Sequence, residues 1–329
     1  MKDFKVSICM ITYNHEKFIK QAIDGVLMQK TTFDFRLVIG EDCSTDNTRQ
    51  ICIDYKNKYP EKIILRLPDK NLGSLPNFIE NLKICSKDFK YVAMCEGDDY
   101  WIDEYKLQKQ VDYLEENADC GLVYTDIKIF DEQKNIFIER VSKYFLDSKQ
   151  VVLELLKTKY IELPSIVVKT DLLIEIMIVL EPEFSRKIIG DTRLILEFAQ
   201  RSLIGYLPHQ TTVYRIVSGS ASHPKEIQKL IFASKDTYLC RKTFVIRHKL
   251  NRRLLGIPVC NLNRGLVFHA YNQTNYFKSL QILSNINIAD TINFCDFKTF
   301  KSRIDLKICL KFLLSFTAIS SIKNSIKKI

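Results

Sequence analysis

Close cysteine pairs are missing from this sequence. It has ten cysteines, but the nearest neighbours are Cys43/Cys52 and Cys85/Cys95, whereas a zinc site usually takes two corners of its tetrahedron from a close pair. Most sit in apolar runs, as Cys9 and Cys309 do, where a thiol behaves as a small hydrophobe. Zinc and a disulfide framework are therefore not expected, and a reducing cytoplasm is. Histidine is also scarce, with five residues and no pair at metal-ligand spacing. There is no G-x-G-x-x-G and no P-loop glycine run, so dinucleotide and ATP chemistry have no support. Long hydrophobic runs are absent as well. The longest uncharged stretch near the C-terminus, Phe312 to Ile322, is too short to cross a bilayer. Charges at positions 2, 3 and 5 interrupt the apolar core that a secretory signal would need.

What is present is the composition of a globular protein. The 329 residues are 46% hydrophobic and 27% charged, enough for one large domain or two smaller ones with a proper core. The net charge of +10 is unevenly placed: residues 224–329 carry 19 Lys/Arg against 5 Asp/Glu, which leaves residues 1–223 acidic. A catalytic head followed by a surface-seeking basic tail would have this distribution.

Strand and helix patterns alternate over the first part of the chain. KVSICMITY at 5–13 reads as a buried strand, with an apolar-faced helix over roughly 15–29. FRLVIGE at 35–41, IILRL at 63–67, KYVAMCE at 90–96 and GLVYTDIKIF at 121–130 are further strands. Helices are expected between them, one starting near Ser74 and one capped by Asp103. That alternation predicts an α/β fold with a doubly wound, mostly parallel sheet. Beyond it the spacing predicts helices at 148–157, from Asp171 and from Asp191, and strands around Ile166–Val168 and Thr211–Arg215. The region from Pro224 reads as helical.

Two acidic runs fall at strand ends, where ligands bind in such sheets. The first is Glu41-Asp42-Cys43-Ser44-Thr45-Asp46. Capping of the next helix by Thr45 or Asp46 accounts for one oxygen-bearing residue, not for two adjacent acids. The second is Glu96-Gly97-Asp98-Asp99-Tyr100-Trp101. Its carboxylates repel one another unless a cation sits among them. Mg²⁺ or Mn²⁺ favours such oxygen ligands, completed by substrate phosphate and water.

VSICMITYNHEKFIKQAIDGVLMQ, EDCSTDNT and EGDDYW, in this order and spacing, resemble the family 2 glycosyltransferases over about residues 5–130. The likeness extends more weakly through Ile189-Gly190-Asp191 and VYRIVSGSASH at 213–223. It implies the GT-A fold and a nucleotide-sugar donor held through a divalent metal. Residue by residue, it implies that Ile11, Thr12 and Tyr13 line the base pocket and that Asp42 hydrogen-bonds the base. Asp98 corresponds to the residue near ribose and metal, Asp99 to the metal ligand and Asp191 to the catalytic base. Glu96 departs from the family's usual Asp, and Pro76-Asn77 stands where a basic residue often precedes Asn. His209 is a further candidate for the diphosphate, and Tyr214 and Arg215 are candidates for phosphate or acceptor.

The expected protein is thus an inverting transferase moving a hexose or N-acetylhexosamine from a UDP-sugar to the hydroxyl of a glycan or lipid-linked glycan, with Mn²⁺ or Mg²⁺ as cofactor. Its expected setting is surface polysaccharide or lipopolysaccharide assembly. Residues 1–223 form the expected transferase domain, with a nucleotide-sugar half to about 130 and an acceptor half after it, and 224–329 a basic helical region. In that region Ile304, Ile308, Phe312, Phe316 and Ile319 follow helical spacing beside Arg303, Lys307 and Lys311, as in helices that lie on anionic membrane. Peripheral attachment at the inner face of the plasma membrane follows as an expectation. The rivals are a sugar-phosphate nucleotidyltransferase, which would need a glycine-rich basic loop where Tyr13-Asn14-His15 stands, and a degenerate protein that only binds glycan. Nucleic-acid binding is not expected, because the basic tail lacks a recognisable motif.

Overall fold

The structure, a computed structural model, describes residues 4–138, 148–157, 161–184, 191–218, 220, 227–251 and 254. The boundary at 223/224 and the amphipathic stripe at 303–319 lie outside the described residues.

Strands β1 (Phe4–Thr12), β2 (Asp34–Glu41), β3 (Ile63–Arg66) and β4 (Tyr91–Met94) form the parallel part of the sheet, in the order β3-β2-β1-β4. Helices α1 (Ile19–Leu27), α2 (Thr48–Lys58) and α3 (Ser74–Cys85) connect them. β1 reads as a continuous apolar run because it is buried on both faces. Val6, Ile8 and Met10 pack with Ile19, Ala22, Ile23 and Val26 of α1, while Cys9 packs with Phe78, Leu82 and Cys85 of α3 on the other side. Ser7, 0% exposed, is accommodated because its hydroxyl donates to the Cys85 carbonyl at 2.8 Å.

The sheet is mixed beyond β4. β5 (Tyr100–Trp101), α4 (Lys106–Glu116), β6 (Cys120–Asp131), β7 (Ile136–Ile138), α5 (Ser148–Lys157), β8 (Ile166–Lys169), α6 (Thr170–Phe184), α7 (Asp191–Arg201), β9 (Leu203–Ile216) and α8 (Ile227–Arg247) follow. β8 inserts antiparallel between β4 and β6, β9 runs parallel to β6, and β5 closes the far edge antiparallel to β9. The parallel alternation is therefore real for the first four strands and stops there.

Other boundaries differ from the periodicity for local reasons. β9 starts at Leu203, upstream of the expected Thr211, because a register shift between Thr125 and Asp126 places Pro208 and His209 in a bulge that breaks the alternation. α1 begins at Ile19 because the His15 and Glu16 amides bond to Thr48 Oγ1 and Asp46 Oδ2 instead of entering a helix. β5 and β7 are too short to show a period. The seven described cysteines are free thiols, and burial pushes the Cys52 thiol up to about 12. Among the described residues no helix is long and apolar enough to cross a membrane.

Candidate active site

The carboxyl ends of β1, β2 and β4 lie side by side. The Asp42 amide donates to the Thr12 carbonyl at 3.0 Å and the Gly97 amide to the Ile11 carbonyl at 3.0 Å, so the three loops leave the sheet in register. Side chains then stitch the loops after β1 and β2 together. Asn14, at φ 55°, accepts from the Thr45 amide at 2.8 Å and donates its own amide to Ser44 Oγ at 2.9 Å. Asp46 accepts from the Glu16 and Thr48 amides at 3.1 and 2.9 Å. Glu41, fully buried, accepts from the Ser44 amide and pairs with Arg49 at 2.5 Å.

Gly97 fits where no side chain would. A Cβ there would stand 2.6 Å from Thr12 Oγ1 and 3.0 Å from His15 Nδ1. Tyr13, beside that contact, is 42% exposed and presents a ring at the strand end. Thr12 is buried, with its Oγ1 unpaired, and Ile11 is half-buried.

The structure separates the expected acids by what they touch. Asp42 is buried, and its two oxygens accept the Leu72 and Gly73 amides at 2.8 and 2.9 Å. The glycine supplies the φ of +90° that this turn requires. Asp42 thus holds the 71–73 turn through both carboxylate oxygens. Asp99 is 1% exposed and accepts the Arg215 amide on Oδ1 at 2.7 Å. Burial, reinforced by the Asp98 and Glu96 charges, pushes its carboxyl well above the usual range, against the pull of the Arg215 amide. Asp98 is the more open of the pair: its side chain is 20% exposed, with Oδ2 3.9 Å from His15 Nε2. Both carboxylates expected at the metal thus stand just beyond β4, Asp98 the more open and Asp99 buried behind it.

Arg215 does not present a free guanidinium to phosphate, as had been expected. It is buried, donating from Nη1 to the Asp98 carbonyl at 2.7 Å, from Nη2 to Gln21 Oε1, and pairing through Nε with Glu132 at 2.7 Å. Its plane lies 4.3 Å from the Tyr100 ring centroid and 5.1 Å from that of Phe18. Tyr214, one residue back on β9, projects from the opposite face of the strand. His209 is exposed and lies six residues up β9 from Arg215, roughly 20 Å away at strand rise. Asp191 opens α7, 7% exposed, and its Oδ1 accepts the Thr192 amide at 2.6 Å. Asp191 is the first residue of α7, so its carboxylate lies in the first turn of that helix.

Among the described residues no three His, Cys, Asp or Glu side chains converge on a metal-sized point. Gln21, Glu132, Phe18 and Tyr100 were not legible as site residues. Phe18 and Gln21 share a helical face, but nothing in the sequence pairs either with position 215.

Comparison with known proteins agrees with this arrangement. The family described as Glycosyl transferase family 2 matches residues 7–161. An uncharacterized protein of Mycobacterium bovis is 37% identical over 127 residues, 39% of this chain and 36% of its own length. The dTDP-rhamnosyl transferase RfbG of Shigella flexneri is 34% identical over 115 residues, 34% of this chain and 39% of its own. An uncharacterized glycosyltransferase of Methanocaldococcus jannaschii is 29% identical over 170 residues, 51% of this chain and 57% of its own. The chain thus spans well under two thirds of these relatives. Residues 1–349 of Staphylococcus aureus TarS, solved in complex with UDP-GlcNAc, superimpose with a TM-score of 0.54 at 17% identity, covering 78% of this chain and 67% of that one. Motifs, sheet order and strand-end acids agree with the match: residues 7–161 carry the glycosyl transferase family 2 pattern, and the chain has the GT-A fold.

Proposed function

We propose that the protein transfers a sugar from a nucleoside-diphosphate donor, a UDP-sugar in the first instance, to an acceptor hydroxyl in surface polysaccharide or lipopolysaccharide assembly. The observation that carries this reading is the division of labour at 96–99. Asp98 keeps an open carboxylate at the carboxyl edge of the sheet, while its neighbours Asp99 and Arg215 are locked behind it. Tyr13 offers the base a ring to stack on, and Asp42 holds the turn that walls the pocket.

Asp98 is the residue that would hold Mn²⁺ or Mg²⁺, with Glu96 beside it. The bound cation would screen the diphosphate's charge as the bond to the sugar breaks. On the other side Asp191 serves as base. The acceptor oxygen bonds to the anomeric carbon and its proton passes to the Asp191 carboxylate. The carbon–oxygen bond to the diphosphate breaks, with the electron pair leaving on the nucleotide. A direct displacement of this kind inverts the anomeric configuration and needs no covalent sugar–enzyme intermediate.

Two substitutions test the two sides separately. Asp98→Asn is expected to remove the Mn²⁺-dependent part of UDP affinity in calorimetry and to lower kcat/KM by about 10²–10³, the scale for losing one electrostatic stabiliser. Metal-dependent affinity equal to wild type would overturn the assignment. Asp191→Asn is expected to lower kcat by about 10²–10⁴ with donor affinity intact, because Asn keeps the Oδ1 acceptor for the Thr192 amide but takes up no proton. Near-normal turnover in that variant would overturn Asp191 as the base.

A further inference from the structure

We infer that Arg215 is a positioning residue, clamping the peptide at Asp98 so that the Asp98 carboxylate is aimed at the cation and diphosphate. The inference rests on the function proposed above and assigns to Arg215 a part that a phosphate contact would not explain.

The guanidinium makes two hydrogen bonds and one ion pair. Nη1 fixes the Asp98 carbonyl, Nη2 the Gln21 side chain on α1, and Nε the Glu132 carboxylate just past β6. Tyr100 and Phe18 cover its faces. Its own backbone amide takes Asp99 Oδ1 at 2.7 Å. One residue therefore holds Asp98 by the carbonyl and Asp99 by the carboxylate. The Gly97 amide, bonded to the Ile11 carbonyl, and the Asp99 amide, bonded to the Glu96 carbonyl at 3.1 Å, pin the turn on either side. With its backbone held, Asp98 has only its two side-chain torsions left, and its carboxylate sweeps a narrow arc.

A simple charge pair with Glu132 would not need an arginine. A lysine ammonium is a point charge, whereas the planar fork of guanidinium reaches several acceptors at fixed angles. The clamp also ties the two halves of the reaction together. β9 starts two residues after the end of α7, whose first residue is Asp191, and ends one residue beyond Arg215. One strand thus links the helix carrying the proposed base to the peptide carrying the proposed metal ligand.

The experiment uses the full chain with Arg215→Lys and Glu132→Gln, titrating UDP in calorimetry at increasing Mn²⁺, with amide hydrogen exchange of residues 96–101 followed by mass spectrometry. Arg215→Lys is expected to need about tenfold more Mn²⁺ for half-maximal enhancement of UDP binding, roughly 1.4 kcal/mol. Metal-free UDP affinity and the unfolding midpoint should stay near wild type, and exchange at 96–101 should quicken. A folded Arg215→Lys protein with wild-type Mn²⁺ requirement would overturn the clamp. So would a parallel loss of metal-free affinity, which marks general structural damage. If Arg215→Lys does not fold, Glu132→Gln decides, since its carboxylate is 31% exposed and its loss is tolerable: a several-fold rise in Mn²⁺ requirement supports the clamp, and an unchanged one refutes it. Should wild type take up neither UDP nor Mn²⁺, the functional reading fails by itself. The clamp is then judged on exchange at 96–101, and rates unchanged by Arg215→Lys would overturn it.

Discussion

The two ends of the described structure stabilise buried acids by different means. Around the nucleotide-side loops, carboxylates are held chiefly by backbone amides. Asp42 takes Leu72 and Gly73, the half-buried Asp46 takes Glu16 and Thr48, and Asp99 takes Arg215, while Glu41 takes both the Ser44 amide and the Arg49 guanidinium. Among helices α6, α7 and α8 the partners are side chains. Arg193, 4% exposed, pairs with Glu183 at 3.2 Å and Asp236 at 3.0 Å. Arg247 pairs with Glu183 and Glu197, and Glu197 also takes Arg201 and His248. Amide-held acids fix backbone geometry, which suits loops that must present a ligand site. Ion-paired helices fix one packing arrangement but leave little tolerance for losing a partner. α8 belongs to that arrangement although it lies in the basic C-terminal part of the sequence.

The sharpest way to break this contrast is Arg193→Met. Removing one member of a buried ionic cluster leaves uncompensated charge, at a cost of about 3–5 kcal/mol. Asp236, 2% exposed, would lose its Arg193 partner, while Glu183 would keep Arg247. Denaturant unfolding of the full chain measures the effect. A loss below 1 kcal/mol would mean that α7 and α8 are held by their apolar faces and that the ion pairs are incidental.

The same contrast explains what the sequence made visible. The parallel strands and their acidic ends were legible because periodicity and strand-end position are local properties. Ser74 as a helix start was legible for the same reason, whereas the cap of α2 falls at Asn47 and not at the expected Thr45 or Asp46. The partners of Arg215 were not, since Gln21 lies 194 residues away and Asp98 117 away, and no spacing rule joins them. Likewise, which of Asp98 and Asp99 stays open depends on a strand that returns from position 215. Adjacent acids look alike in a sequence; a long-range contact tells them apart. The bulge at Pro208 and His209 was not legible for a local reason: the first half of β9 shows no clean alternation.

Lys106 is the exception that sharpens the comparison. It lies in the nucleotide-side half and is fully buried, yet its described contacts are the Gln110 amide oxygen and the face of Trp101, 4.4 Å from the ring centroid, not a carboxylate. Burial lowers its ammonium to about 7 from an ordinary value of 10.5. Between those values the unfolded chain binds a proton that the native protein does not, so stability rises with pH across that window. Below about 7 both states are protonated and the full cost of burying the charge is present. Lys106→Met keeps most of the volume but cannot titrate. It also strands the Gln110 oxygen, a penalty that does not vary with pH and cancels when slopes are compared. The stability of wild type relative to Lys106→Met should therefore rise by about 1.4 kcal/mol per pH unit between pH 7 and 9, roughly 2–3 kcal/mol in all. Below pH 7 the difference should be flat. Urea unfolding of both proteins from pH 6 to 9 tests this, because other titrating groups contribute equally to the two curves. A difference that stays flat throughout would mean Lys106 remains charged inside the fold, held by a partner stronger than a neutral amide and a ring.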